Sequence, residues 1–279
     1  MTRRRPSVPD TAEETLLTLG SLVEQALERI KLQRARVDLA TALQRHMLPP
    51  QLPDLPGLQF AARYVPARNG LEVGGDWYDA FSLADGSIGV VIGDVQGHDV
   101  DAVAVMGQVR ASLRAVGGVT ANPGEVLSAA NDLLVALGCG LFATCTLLRI
   151  GTTPGPALSG ARAGHVPTVW ATPDGCSGTL LGACGPPLGI LQGAQYPVIH
   201  GHMGASEEVI LVMVTDGVVE GPHFCLDEGL ERVRQVVTAD LDADPETMVS
   251  RVMKVADLTG HDDDAAALVV RRHRTPAPP

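Results

Sequence analysis

The longest regular pattern in the chain is helical. Between residues 11 and 47 apolar side chains recur in alternating steps of three and four: Leu16, Leu19, Val23, Ala26, Ile30, Val37, Ala40 and Met47. Gln33 and Gln44 are the two polar breaks in this stripe. Such spacing predicts one long helix with a heptad-like seam. Thr11 and Glu14 form a capping-box start, and Pro49-Pro50 ends it, because proline cannot continue a helix. A helix this long needs a partner surface in water. The pattern leaves two uses open: packing on its own domain, or a linker that dimerises or carries a signal.

After the prolines the texture changes to short runs of β character. The first covers 58–65; runs at 78–83 and 88–93 flank Ala84-Asp85-Gly86-Ser87, a hairpin turn in which glycine accepts positive φ. Helical patterns follow at 101–116 and 123–137. Strand-like runs return at 141–150, 157–163, 168–172, 195–200 and 209–215. Two further helical patterns, 226–237 and 245–258, precede a last strand at 265–272. Strands in hairpin runs with helices grouped between them predict an α+β fold of antiparallel sheets covered by helices. The domain reading is a loose tail over 1–10, a regulatory or dimerisation helix over 11–48, a catalytic-type domain over 52–272 and a tail over 273–279.

Composition narrows the class. The 279 residues carry a net charge of -11, which argues against coating a nucleic acid. The five cysteines, Cys139, Cys145, Cys176, Cys184 and Cys225, form no CxxC pair and read as free thiols in a reducing compartment. No apolar run approaches the ~20 residues of a membrane span, and residues 1–10 lack the apolar core of a secretory signal. The expected location is the cytoplasm, with neither membrane nor nucleic acid as partner.

The chemistry sits on aspartates at strand ends. Gly74-Gly75-Asp76-Trp77-Tyr78-Asp79 precedes the hairpin, and Gly93-Asp94-Val95-Gln96-Gly97-His98 ends it. Thr215-Asp216-Gly217 ends another strand, and Gly260-His261-Asp262-Asp263-Asp264 opens the last. One Asp-Gly at a strand end is ordinarily a turn. Four such segments from distant parts of the chain suit a site for hard cations, which take oxygen ligands. A pair of ions roughly 3.5–4 Å apart can clamp an attacking and a leaving oxygen. No P-loop, dinucleotide fingerprint, G-x-S-x-G elbow or H-E-x-x-H motif is present. His200 and His202 share a strand face but have no third ligand nearby in sequence.

Together these segments resemble the metal-dependent protein phosphatase superfamily, in its bacterial SpoIIE/RsbU-type serine/threonine branch. The ordered series starts at Leu43-Gln44-Arg45-His46-Met47-Leu48-Pro49-Pro50 and takes in the aspartate segments above. It continues with Ala163-Gly164-His165-Val166-Pro167 and Pro187-Leu188-Gly189, then Thr215-Asp216-Gly217-Val218-Val219-Glu220, Asp263-Asp264 and Leu268-Val269-Val270-Arg271, so that it spans about 42–272.

The resemblance implies a four-layer α-β-β-α sandwich with two Mn²⁺ or Mg²⁺ ions at one edge. Asp94 would bridge the ions with the Val95 carbonyl beside it, Asp76 would serve the second ion, and Asp216 and Asp263 the first. Asp94 and Asp76 are thus the residues nearest the reaction. Asp79 and Asp264 would orient water, and Asp262 is an alternative to Asp263. Water activated between the ions would attack phosphorus in line. The implied substrate is a phosphorylated STAS-type anti-anti-sigma protein, whose dephosphorylation regulates sigma-factor-dependent transcription in stress or development. The N-terminal helix resembles a signal-passing linker. Many relatives carry a sensor domain ahead of it, so the expected input here is a partner protein acting as upstream activator or another binding event.

One residue departs from the pattern: Asp99 stands where relatives have glycine. It would cap the following helix or add a carboxylate beside the metals. Two rival readings follow. A catalytically weak signalling or binding module would keep the fold and bind metal poorly. An HD-type phosphohydrolase, suggested by His98-Asp99 and His261-Asp262, would build its site on helices.

Overall fold

The computed structural model describes residues 12–66, 74–97, 100–151, 158–201, 208–260 and 263–273. The predicted long helix is α1 (Ala12–Met47). Its C-terminal part touches the body, through Val37, Leu43, Gln44 and Met47. Upstream, Leu16, Leu19, Val23 and Ile30 are all exposed. Thr11 of the expected capping box and the tails over 1–10 and 274–279 lie outside the described residues.

Two five-stranded antiparallel sheets form the centre. The first runs in the order β1 (Leu58–Val65), β10 (Ala265–Arg272), β9 (Val209–Val214), β6 (Val169–Ala171), β7 (Ser177–Thr179). The second runs β2 (Trp77–Ser82), β3 (Ile88–Val95), β4 (Ala143–Ile150), β5 (Leu158–Ala163), β8 (Ile199–Gly201). Gly86 turns the β2–β3 hairpin at φ 79°, as the sequence predicts.

Helices cover both outer faces. On the second sheet lie α2 (Val100–Gly117) and α3 (Pro123–Leu137), which bury Val105, Val109, Leu113, Leu127 and Leu134 against Phe81, Val91 and Leu147. On the first lie α4 (Asp216–Val219), α5 (Leu226–Thr238) and α6 (Pro245–Thr259). Local chemistry sets their ends. The Asn122 side chain accepts from the N–H groups of Gly124 and Glu125, Pro123 opens α3, and Gly138 closes it at φ 62°. Asp244, Pro245 and Gly260 do the same for α6. Between the sheets a third core joins Ile88, Val90, Ile92 and Leu148 to Leu211, Met213, Leu268 and Val270. The expected α-β-β-α sandwich is therefore observed.

Three elements differ from expectation, one of them the short helix α4, which follows β9 directly where the sequence pattern predicts no helix. The run at 195–200 pairs only at its end, as β8, because its upstream half buries Tyr196 without meeting a strand. Conversely β7 is Ser-Gly-Thr, which carries no apolar signal; pairing with β6 makes it a strand.

Candidate metal centre

The sandwich gathers the strand-end aspartates at one rim. Hairpin register sets Trp77 opposite Gly93, so Asp76, just before β2, stands beside Asp94 near the end of β3. In the other sheet Ala267 pairs with Val214, which brings the start of β10, with Asp263 and Asp264, next to Thr215 and Asp216 at the end of β9. Side chains alternate between faces along a strand. Val90 and Ile92 lie in the core between the sheets, and Asp94 continues that row. Leu268 and Ala266 set the same row for Asp264, and Met213 sets it for Thr215.

Hydrogen bonds fix the inner members. The Thr215 hydroxyl donates to Asp76 Oδ2 at 2.7 Å and itself accepts from the Ala266 N–H at 2.9 Å. The Asp76 N–H donates to Asp264 Oδ2 at 3.3 Å, and the Tyr64 hydroxyl donates to the same oxygen at 2.9 Å. Gln44 of α1 is buried and its amide nitrogen donates to the Tyr64 oxygen at 2.7 Å and to the Gly74 carbonyl at 3.0 Å. Asp263, at the exposed lip, accepts from the Asp264 N–H at 2.9 Å.

The glycines around these aspartates are close-approach positions. A Cβ on Gly74 would fall 1.6 Å from Asp264 Oδ1, one on Gly75 2.2 Å from the Val95 carbonyl oxygen, and one on Gly217 2.1 Å from the Asp264 carbonyl oxygen.

This arrangement concentrates negative charge. Burial, then the charges of Asp264, Asp94 and Asp216, push the Asp76 carboxyl well above the ordinary range. Burial and the charges of Asp216, Asp264 and Asp263 raise Asp94. Burial and Asp263 raise Asp264. Asp216 reaches solvent, yet enough protein surrounds its carboxylate that desolvation, followed by Asp263, raises it too. Among the described residues none of these five carboxylates has an ion-pair partner. Several buried like charges are tolerable only if protons or cations neutralise them.

The donor set suits hard divalent cations: carboxylates and a backbone carbonyl, with no thiol among them. Among the described residues no group of three or more His, Cys, Asp or Glu side chains already stands placed to hold an ion.

Of the residues expected at the site, Asp76, Asp94, Val95, Asp216, Asp263 and Asp264 come together. Asp79 does not. It shares the helix-facing row of β2 with Trp77 and Phe81, three residues and therefore one face away from Asp76. Its fully buried carboxylate binds Arg110 Nε at 2.8 Å and Arg114 Nε at 2.6 Å, both from α2. Arg110 also donates to the Met47 carbonyl at the end of α1. The expectation that Asp79 orients water at the metals gives way to a role in fastening α2 and α1 to β2. Asp99, Asp262, His98, His261 and His202 lie outside the described residues; His200 is exposed on β8.

Sequence reasoning missed Thr215 as the holder of Asp76, and Tyr64 and Gln44 behind Asp264. It also left His165 without a role. That imidazole is buried between the sheets, with Nδ1 2.8 Å from the Thr144 hydroxyl. Nε2 lies near the Val214 backbone but makes no hydrogen bond of normal geometry. Thr144 pairs with Asp94 on the neighbouring strand, so the His165–Thr144 bond lies beneath the carboxylates. For Gln44 a signal did exist: it is a polar break in the apolar stripe of α1.

Comparison with known proteins agrees with the fold. The family described as Stage II sporulation protein E (SpoIIE) matches residues 84–273. Protein IcfG of Synechocystis sp. is 29% identical over 86% of this chain, which spans 40% of that protein. Phosphoserine phosphatase RsbU of Bacillus subtilis is 25% identical over 86% of this chain and 70% of its own length. Among solved structures, the RsbU and RsbW domains of Rv1364c from Mycobacterium tuberculosis superpose with a TM-score of 0.70 at 28% identity, covering 82% of this chain and 64% of that one. The two-sheet fold, incompatible with a helical HD-type site, and a family match over more than half the chain lead to one conclusion: the chain belongs to the SpoIIE family.

Proposed function

We propose that the chain is a metal-dependent phosphoprotein phosphatase acting on phosphoserine or phosphothreonine. The observation that carries this reading is the convergence of Asp76, Asp94, Asp216 and Asp263 from separate segments on one rim between the sheets, with no arginine or lysine paired to them among the described residues. Asp94 and the Val95 carbonyl would sit between two ion positions, with Asp76 on one side and Asp216 and Asp263 on the other. Two bound Mn²⁺ or Mg²⁺ ions supply Lewis acidity and lower the pKa of water.

The protein's own residues do the placing. Thr215 fixes one oxygen of Asp76, Asp264 holds the Asp76 N–H, and the close-packed glycines keep side chains out of the rim. Hydrolysis of p-nitrophenyl phosphate with and without Mn²⁺, for wild type and Asp94→Asn, tests the reading. Metal-dependent hydrolysis that the substitution abolishes is the expected result. Hydrolysis indifferent to Mn²⁺ or to the substitution removes it.

The finer substrate reading is a phosphorylated STAS-type anti-anti-sigma protein, and hence regulation of sigma-factor-dependent transcription. It is supported by the relation to a phosphoserine phosphatase and to a protein that joins RsbU and RsbW domains in one chain. Phosphate release from such a phosphoprotein measures it. Hydrolysis of the generic ester without release from the phosphoprotein counts against that substrate.

The exposed apolar residues of α1, Leu16 at 70% and Val23 at 56% among them, support a homodimer or an upstream activator seated on 16–47. Sedimentation of full-length chain against a chain lacking 1–48 distinguishes them: equal association of both removes the helix as the dimer surface. No described helix is long and apolar enough to cross a membrane, which fits the cytoplasmic location we infer. A catalytically weak binding module is the second reading. The absence of a ready-placed ligand group among the described residues favours it, and Mn²⁺ titration of the wild type decides.

A further inference from the structure

We propose that Tyr64 is a positioning residue for this centre: its hydroxyl holds Asp264, and through Asp264 the Gly74-Gly75-Asp76 segment, in the arrangement that admits the ion served by Asp76. The inference rests on the two-ion reading and adds to it a residue that the strand-end aspartate pattern does not contain.

Tyr64 lies near the end of β1, paired with Ala266 of β10, and its ring packs on the core between the sheets. Donor chemistry then fixes the direction of the chain of hydrogen bonds. An amide nitrogen only donates, so the Tyr64 oxygen accepts from Gln44 at 2.7 Å. Its single proton is left for Asp264 Oδ2 at 2.9 Å.

That oxygen receives one other bond, the 3.3 Å contact from the Asp76 N–H. Without the phenol, Asp264 keeps only this longer bond on Oδ2. Asp264 is also pressed against Gly74, where a Cβ would overlap both carboxylate oxygens. A turned Asp264 therefore displaces the backbone that carries Asp76. Tyr64 Oη thus sits two hydrogen bonds from the Asp76 backbone, while its ring serves packing alone. Tyr64→Phe separates the two roles because it keeps the ring.

The experiment compares full-length wild type and Tyr64→Phe by Mn²⁺ binding, measured calorimetrically or by competition with a chromophoric chelator. Loss of a group that orients a metal ligand costs 10–100-fold in affinity. We expect about a tenfold weaker Mn²⁺ dissociation constant, toward the low end of that range, with hydrolysis restored when Mn²⁺ is raised in proportion. In the Asp264→Ala background, where the phenol has no acceptor left, the same substitution should change Mn²⁺ binding far less.

Overlaying isotherms for wild type and Tyr64→Phe overturn the proposal, as does an equal effect in the Asp264→Ala background. Binding by wild type with no change in Tyr64→Phe sinks this inference alone; no Mn²⁺ binding by wild type sinks the two-ion reading and this inference with it. A measurement without any substitution adds a check. In fluorotyrosine-labelled protein the Tyr64 fluorine resonance should move on Mg²⁺ titration while that of Tyr196, in the core under α2 and α3, stays. An unmoved Tyr64 signal at saturating Mg²⁺ also overturns it.

Discussion

Asp76 and Asp79 are three residues apart, and the fold treats them in opposite ways. Asp79 faces the helices, is fully buried, and is met by two guanidinium groups from α2. Asp76 faces the gap between the sheets, is 2% exposed, and is met by a threonine hydroxyl and further carboxylates. A buried carboxylate must be neutralised. Where the chain supplies arginine, the aspartate ties elements together. Where it withholds arginine and adds more aspartate, a place is left for cations from solution.

That contrast has a sign that can be measured. At the rim, Asp94→Asn removes one of several repelling charges. It should lower metal-dependent hydrolysis on the order of 10³-fold, about 4 kcal/mol of barrier. In the same protein, stripped of metal, it should raise the thermal midpoint. A lower midpoint in the metal-free Asp94→Asn protein breaks the comparison at its first term.

On the helix face the expectation reverses. Asp79→Ala leaves Arg110 and Arg114 without their partner. Removing one side of a buried pair costs about 3–5 kcal/mol, and we expect the lower figure because Arg114 is 43% exposed. Denaturant unfolding measures it. A loss below about 1 kcal/mol, the range of a surface pair, would place Asp79 in a solvated setting that its burial denies.

His165 sharpens the comparison with a third solution, burial in the neutral form. Burial depresses its pKa from 6.5 to about 3. Between those values the unfolded chain binds a proton that the folded chain does not. Its contribution is therefore intact above about pH 6.5 and is lost as pH falls toward about 3. The wild type should lose more stability than His165→Asn between pH 7 and about pH 5. Parallel stability curves for the two proteins would exclude it. The difference between them cancels the carboxylates, whose raised values act in the opposite direction.

The smallest effect is expected where water does the neutralising. Arg63 and Glu246 meet at 3.4 Å with side chains 48% and 68% exposed, so Glu246→Gln should shift stability by less than about 0.5 kcal/mol. A larger shift in denaturant midpoint would show that exposure is a poor guide to pairing in this fold.

Much of this was legible along the chain. The bounds of β1, α3 and β10 follow from apolar runs ended by proline, capping side chains and glycine, signals that act within a few residues. The rim aspartates were legible for a similar reason: a carboxylate beside glycine at the end of an apolar run marks where a strand leaves the core. What stayed hidden depends on which face a side chain takes. In β3 both faces are buried, and β2 is buried on both sides except at its edges. Alternation of apolar and polar residues therefore cannot say which row looks at helices and which at the other sheet. The resemblance groups Asp79 with Asp76, and nothing in the local pattern separates them.

The same limit applies to partners far apart in the chain. Gln44, Tyr64 and Asp264 are separated by 20 and 200 residues, and no local rule brings them together. The sequence by itself determined the long helices, most of the strands and the aspartates at their ends, because those follow from propensity, capping and burial within a short window. Only the tertiary structure decided which aspartates share a rim, which one is locked to arginine, and which polar side chains hold the rim in place. Those outcomes depend on sheet register and on the way the two sheets stack.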